Sequence, residues 1–204
     1  MIPYLSDHNR KIKQANIWSL PAIQTCKPGT ICRIFCYARK AERMYPQTLP
    51  CRQNNLRNSR LESFTSTMTC MIRESKYPVT RVHEAGDFYS EKYVNKWFKI
   101  ARELPEHKFF SFTKRTDLFN RSLLEQKPPN FKLILSLDGI RKDDEDIHSE
   151  VEKYLEKGFD KVAVIRETRH TCPSNAKDGW KRACIKDCQK CLDDKTFLVE
   201  FSKH

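Results

Sequence analysis

Seven of the nine cysteines in this 204-residue chain fall in two short stretches. Cys26, Cys32 and Cys36 stand in "TCKPGTICRIFCYAR" at C-x5-C-x3-C spacing, and Cys172, Cys184, Cys188 and Cys191 stand in "TCPSNAKDGWKRACIKDCQKC" as C-x11-C-x3-C-x2-C. Sulfurs this close in sequence suit metal ligation. The first trio is one sulfur short of a closed zinc or four-iron site. On a [4Fe-4S] cluster it leaves one iron to an exogenous amine, carboxylate or water, which is the arrangement of a catalytic cluster. A zinc ion completed by a distant Cys or His, or a set of unligated structural thiols, are the other readings of the same residues. The second group is a complete ligand set for a structural zinc or a second [4Fe-4S] cluster. A closed centre of that kind relays electrons, or braces a tail that has little apolar material of its own. Lys181, Arg182, Lys186 and Lys190 would then tune the thiolates, or else are solvated charges. Disulfides fit poorly, because the cysteine count is odd and the start, "MIPYLSDHNRKIKQ", has no apolar signal-peptide core. Cys51 and Cys70 belong to neither group and read as structural, Cys70 beside an apolar helical face and Cys51 in a loop after Pro50.

The elements that must position these residues follow a strand-helix alternation. A first strand is expected around "NIWSLPAI", ending at the first cysteine loop. Leu61, Phe64, Met68, Met71 and Ile72 recur at helical spacing, and "VTRVHEAGD" holds a short β-prone run that ends at Gly86. Tyr93, Trp97, Ile100, Ala101 and Leu104 share one face of a further helix and read as core, with Phe98. Then come a strand in "HKFFSFTKR", a helix in "TDLFNRSLLEQ", a strand in "FKLILSLDG" closed by Asp138-Gly139, a helix in "IHSEVEKYLEKG" with Gly158 as C-cap, and a strand in "DKVAVIRE". This predicts an α/β fold: a partial (β/α) barrel of about five to six parallel strands over residues 1–168, with a Cys-rich C-terminal extension over 169–204.

Ligands of parallel α/β sheets gather at the carboxyl ends of the strands. There the sequence places the three cysteines, then "HEAGDFYS", "TKR", "LDG" and "RETRH". Glu84 and Asp87 flank Gly86 as acceptors for a cofactor amine or substrate, or else Gly86 supplies a turn and Asp87 caps the next helix. His83 is a candidate base or ligand, or a hydrogen-bonded residue before a turn. Lys114, Arg115 and Arg166 are candidates for binding a carboxylate or phosphate, against plain surface placement. Asp138 reads as a turn former.

Composition bounds the rest. Hydrophobic residues at 39% with helical and strand periodicity argue for a folded chain rather than a disordered one. No apolar run is long enough to span a bilayer, so a soluble, cytoplasmic protein with no membrane partner is expected. Of the formal charge of +12, residues 1–82 carry 14 Lys/Arg against 4 Asp/Glu. That basic half suits nucleic acid, an acidic protein, an anionic substrate, or the negative charge of a thiolate-ligated cluster. A zinc-stapled nucleic-acid-binding protein is therefore an alternative to iron-sulfur chemistry.

"NIWSLPAIQTC", the two later cysteines with "CYAR", "VHEAGDFYS", "TKR" and the C-terminal cysteine group together resemble the phage gene product 88 family over residues 16–201, a set of small proteins similar to radical S-adenosylmethionine (SAM) enzymes. The radical-SAM likeness implies a partial barrel, a [4Fe-4S] cluster on Cys26, Cys32 and Cys36, and SAM chelating the open iron. It also implies reductive cleavage to a 5′-deoxyadenosyl radical that abstracts hydrogen from a substrate. Phe35 matches the aromatic position before the last cysteine, and Glu84, Ala85, Gly86 and Asp87 lie where that superfamily contacts the methionine amine. The loop here is longer than the superfamily's C-x3-C-x2-C, and the strand-two motif has one glycine rather than a pair. A reductant such as a ferredoxin or flavodoxin, and the host cytoplasm as location, follow from the same resemblance. A non-catalytic electron carrier or cluster-bearing module is the alternative within it.

Overall fold

The computed structural model describes residues 3–7, 9, 11–168, 171–173 and 183–202. Six strands pair in parallel in the order of the chain: β1 (Asn16–Trp18), β2 (Val79–Val82), β3 (Lys108–Thr113), β4 (Phe131–Arg141), β5 (Lys161–Arg166) and β6 (Leu198–Ser202). Each crossover therefore steps in the same direction, and right-handed crossovers place the helices on one face. Those helices are α1 (Tyr37–Met44), α2 (Thr48–Arg60), α3 (Phe64–Arg73), α4 (Glu91–Glu103), α5 (Arg121–Glu125) and α6 (His148–Glu156). β1 and β6 form the two edges, so the sheet is not closed into a barrel.

Strand alternation divides the core. Trp18, Val82, Phe109, Leu133, Leu135, Val162 and Val164 meet Phe64, Met68, Trp97 and Val151 on the helical face. Tyr93, Trp97 and Phe98 are fully buried there, as their spacing predicts. Ile17, Val79, Phe110, Ile134, Ala163 and Val199 point to the opposite, inner face, which no helix covers among the described residues. That face is instead packed by Ile12 and Ala15 from before β1 and by Cys172, Ile185 and Leu192 from the C-terminal stretch.

Several elements differ from the sequence expectation. The C-terminal stretch does more than append ligands, since its end supplies β6. β1 stops at Trp18 because the chain turns into the cysteine loop at Pro21, with Leu20 N–H donating to Ala85 O at 2.9 Å. The helix expected through Leu61 is two helices. Leu61 is extended and half exposed, and Lys96 Nζ donates to the carbonyls of Ser59 (3.1 Å) and Leu61 (2.7 Å), capping α2. Cys51 lies inside α2 rather than in a loop, which Pro50 permits because it falls in the first turn. Cys70 is exposed on α3 and donates to Glu74, so it is not a core residue. The helix after β3 is confined to α5, capped by Asn120 Oδ1 accepting from Leu123 N–H. β4 runs past Asp138-Gly139 to Arg141 through a register shift between Ser136 and Ile140, with Gly139 at φ +85°. Gly158, at φ +107°, follows α6 as expected.

Candidate functional site

The first cysteine loop runs from the end of β1 to α1, over the carboxyl ends of β2, β3 and β4. Its sequence gives it turns rather than a core: Gly29 at φ +77°, a 3-10 turn at Ile31–Arg33, and Ile31, Ile34 and Phe35 exposed. Polar anchors hold it instead. Asp138 Oδ2 accepts from Ile31 N–H at 2.6 Å and its Oδ1 from Cys32 N–H at 3.3 Å. Thr25 Oγ1 donates to Pro21 O at 3.0 Å and accepts from Asp87 N–H at 3.2 Å. Ala22 N–H donates to Glu42, which pairs with Arg52 at 3.0 Å, and Arg52 reaches Glu84 at 3.3 Å. Tyr37 Oη donates to Glu84 O.

These anchors bring together most of the predicted rim residues. A side chain at Gly86 would meet Thr25 Oγ1 at 2.6 Å and Leu20 Cβ at 2.7 Å, and its φ is +78°. The glycine is thus required for the loop to pack on the strand end. Asp87 is buried. It accepts from Thr113 Oγ1 (2.7 Å), Phe88 N–H (2.7 Å) and Lys114 N–H (2.9 Å), while Ser90 caps α4, so Asp87 is not the helix cap. Burial raises its pKa to about 6, with those donors acting against the rise. Lys114 Nζ donates to Ser136 O and Oγ and to Leu137 O, and stands 3.8 Å from Asp138. Burial lowers its pKa, against the charges of Cys32, Asp138, Asp87 and Cys26. Lys114 is therefore a wall of the site and not a surface lysine.

Cys26 lies within electrostatic reach of Asp87, Cys36 and Cys32, and burial pushes its thiol up to about 12. Ala22, Ala38 and Ala85, all buried, pack against Cys36, their small side chains letting the loop, α1 and the strand end close together. Phe35 is 50% exposed and the Ala85 carbonyl accepts from Leu20. Arg166 stands apart from this assembly. It is 4% exposed, pairs with the buried Glu200 at 3.0 Å, and donates to Lys142 O and Glu145 O. It braces β5, β6 and the following loop. His83, at φ +65°, hydrogen-bonds Tyr93 Oη at 3.0 Å in the helical core, and burial lowers its pKa to about 3, so it is neutral.

The second cysteine group crosses the inner face of the sheet. Cys184 N–H donates to Lys11 O at 2.9 Å, Lys13 N–H to Cys184 O at 3.1 Å, Ile185 N–H to Cys188 O at 2.9 Å, and Cys172 N–H to Glu200 O at 3.1 Å. Cys191 feels Cys184, Cys172 and Cys188, so the four thiols share one locality; burial raises both Cys191 and Cys184. Of the predicted tuning cations, Lys190 donates to Thr171 O, Lys186 is exposed, and Lys181 and Arg182 lie outside the described residues. Sequence reasoning missed Lys11 and Arg81, which flank this group. Arg81 was the visible signal, a cation inside an otherwise uncharged strand.

Backbone strain marks both groups. Ile23 (φ +68°) precedes Cys26, whose N–H donates to Ile23 O, and Ile185 (φ +73°) follows Cys184. β-Branched residues rarely adopt that region, and such outliers gather at functional sites. Among the described residues no three His, Cys, Asp or Glu side chains close on a common point as a single ion requires. A tetrahedral zinc draws its sulfurs to about 2.3 Å from one centre, whereas a cubane gives each thiolate its own iron. Two open hollows of about 270 and 290 Å³ lie elsewhere, one beside Lys132, Asp160 and Asp193, the other beside Asp143, Glu145 and Arg166.

A sequentially wound parallel sheet with one cysteine loop on its carboxyl rim and another cysteine segment across its inner face defines a cysteine-rich α/β protein. The chain belongs to the gene product 88 family, whose model matches residues 4–200. It is 28% identical to the Gene 88 protein of Mycobacterium phage L5 over 189 residues, covering 83% of this chain and 77% of that one. It is also 28% identical to the Gene 88 protein of Mycobacterium phage D29 over 144 residues, covering 64% and 60%. No solved structure matches significantly. These names state no activity, and the comparisons give no support to the radical-SAM likeness. Among the described residues no helix is long and apolar enough to cross a membrane.

Proposed function

We propose that the protein is an iron-sulfur protein doing redox or radical chemistry on a substrate held at the carboxyl rim of the sheet. One observation carries this reading. Cys26, Cys32 and Cys36 stand on one rim loop, with Cys26 in electrostatic reach of the other two, one sulfur short of a closed four-ligand site. Cys26, Cys32 and Cys36 would then hold a [4Fe-4S] cluster with one iron open, and Cys172, Cys184, Cys188 and Cys191 a second, closed one. When bound, such centres supply single electrons and, at an open iron, a Lewis-acidic position for an amine or carboxylate such as that of SAM.

The chain's own residues do the rest. Asp138 accepts from the loop's Ile31 and Cys32 N–H groups, the Asp87 N–H donates to Thr25 Oγ1, and Gly86 lets the loop lie flat on the end of β2. Lys114 places a positive charge beside Cys26 and Cys32, where thiolate charge would accumulate. Ile31, Ile34 and Phe35 leave an apolar rim, and Arg39, Lys40 and Arg43 are exposed next to it. That surface suits an acidic electron donor of the ferredoxin or flavodoxin kind, and the reducing host cytoplasm suits the free thiols. The test is to mix reduced, anaerobic protein with SAM. The enzyme reading expects 5′-deoxyadenosine and an altered cluster magnetic resonance spectrum. Neither change would leave only an electron carrier.

A further inference from the structure

Of the nine large apolar side chains that stand exposed among the described residues, six fall between Ile31 and Tyr45. Three of the six are rings: Phe35, Tyr37 and Tyr45 are each half or more exposed. Apolar surface gathered this densely marks a binding surface rather than scattered exposure. The helix in this stretch, α1, buries only Ala38, so its other side chains are not there to pack a core. Arg39, Lys40 and Arg43 on α1 are all exposed and, among the described residues, without an ion pair. Over residues 8–61 the chain has 11 Lys/Arg and a single acidic residue, Glu42. That carboxylate is turned inward: it accepts from Ala22 N–H at 2.8 Å and pairs with Arg52 at 3.0 Å, both side chains 9% exposed. The surface therefore presents cations and rings with no exposed carboxylate from its own segment to answer them.

Cations alone suit any polyanion, and an acidic protein is one. The rings decide between occupants. Phe35 and Tyr37 lie between Arg33 and Arg39 in the chain, and Tyr45 comes two residues after Arg43. A single-stranded nucleic acid presents the same alternation, a charged phosphate and a flat base at every step. Proteins hold it with cations along its backbone and aromatic faces against its bases. Tyr37 is set in advance for that contact, because its hydroxyl donates to Glu84 O while its ring stays 57% exposed. A ring already held loses little freedom when a base stacks on it. A second copy of the chain fits poorly, since a two-fold axis through this surface would set Arg39 and Arg43 against their own counterparts. We propose that the first cysteine loop and α1 form a docking platform for single-stranded nucleic acid, with Arg39, Lys40 and Arg43 taking phosphates and Phe35, Tyr37 and Tyr45 taking bases. The inference goes beyond the iron-sulfur reading and does not depend on it, because none of these side chains is a thiol.

The test titrates the full chain into a fluorescently labelled oligothymidylate of about 20 nucleotides, long enough for one site, and into its duplex with oligoadenylate, reading anisotropy over a salt series. The single strand is expected to bind, with log affinity falling against log salt by about 0.7 per phosphate contacted. The duplex, whose bases are stacked away, is expected to bind roughly tenfold more weakly. Arg39→Ala and Arg43→Ala together should weaken binding tenfold or more and lower the salt slope by about 1.4, two contacts at about 0.7 each. Tyr45→Ala should weaken binding roughly tenfold with the slope unchanged, the mark of a lost stack. These side chains are exposed, so the variants keep the fold; Lys108→Ala, an exposed cation at the opposite end of the sheet, should change nothing. No binding, an arginine effect no larger than that of Lys108→Ala, or a duplex held as tightly as the single strand would overturn the platform. So would polyglutamate binding as tightly as the oligonucleotide with Tyr45→Ala silent on both, which would make the surface a dock for an acidic protein. Iron analysis of the same samples separates the two readings: protein that binds without iron overturns the cluster reading alone, and iron-loaded protein that does not bind overturns the platform alone.

Discussion

Cys26, Cys32 and Cys36 hang on a rim loop whose Ile31, Ile34 and Phe35 face solvent, whereas Cys172, Cys184 and Cys191 pack with Ile12, Ala163 and Val199 on the sheet. The rim loop is fastened by hydrogen bonds from its backbone to Asp138 and Thr25, contacts that exist whether or not the sulfurs are bound. The C-terminal segment has backbone links to Lys11, Lys13 and Glu200 but owes its place on the sheet to the layer its cysteines help build. On the proposed reading, the difference separates two jobs. A loop with its own anchors can expose one coordination position and still keep its shape. A segment that fills the inner face is part of the fold.

The largest expected effects test that division. On the proposed two-cluster reading, Cys191→Ser should cost roughly 5 kcal/mol or more of unfolding free energy, through lost metal and a broken inner layer. Cys32→Ala should stay within about 1 kcal/mol of the parent while losing half of the iron. Urea unfolding with iron analysis reads both, and equal destabilisation would erase the distinction.

The next effect belongs to an arginine of the sheet. Arg166 has its charge met by Glu200, so Arg166→Met should cost about 3–5 kcal/mol by removing the guanidinium that pairs with a buried carboxylate. Adding Glu200→Leu should restore most of it. Thermal melts in which the double variant is no better than the single would show that the pair does more than cancel charge.

Acid should act on the helical core through His83. His83 has a folded pKa near 3, below the ordinary value of 6.5, so the unfolded chain binds the extra proton. Its contribution is full above pH 6.5 and falls as pH drops toward 3, by about 2 kcal/mol between pH 6.5 and 5. Its neighbours are Tyr93 Oη, Phe88 and the charge of Arg81, which also disfavours protonation. His83→Asn tolerates the left-handed backbone and does not titrate, so its unfolding midpoint should vary less with pH over that range. Parallel pH profiles for parent and variant would refute this. Smallest is Asp138→Ala, expected to cost about 1 kcal/mol overall yet to speed bleaching of the rim centre several-fold, leaving the C-terminal centre unchanged.

Much of the architecture was legible because apolar periodicity reports burial. β3, β4, β5 and α4 stand where "HKFFSFT", "FKLILSL", "KVAVIR" and Tyr93, Trp97 and Ile100 place them. α1 was hidden because YARKAERM buries only Ala38 and so shows no apolar stripe. β6 was hidden because "LVEFS" sits on an edge and alternates Val199 with Glu200, a residue whose burial depends on Arg166. At the site, the cysteines, Gly86, Asp87 and Lys114 were legible from type and position at strand ends. The Arg52, Glu42 and Glu84 bracket, Asp138 as a loop anchor, and Arg81 were not, because each depends on partners 10 to 107 residues away in the chain or on the absence of one. Arg166 was misread for the same reason: a charged residue at a strand end looks identical whether its partner is a ligand or Glu200.

The account turns on what the seven grouped sulfurs hold. The direct measurement is iron and acid-labile sulfide in the full chain purified under argon. Two cubanes predict a brown protein with broad absorbance near about 400 nm and about eight irons and eight sulfides per chain, falling to about four of each when Cys26, Cys32 and Cys36 are replaced by Ala. A colourless protein carrying stoichiometric zinc would contradict it.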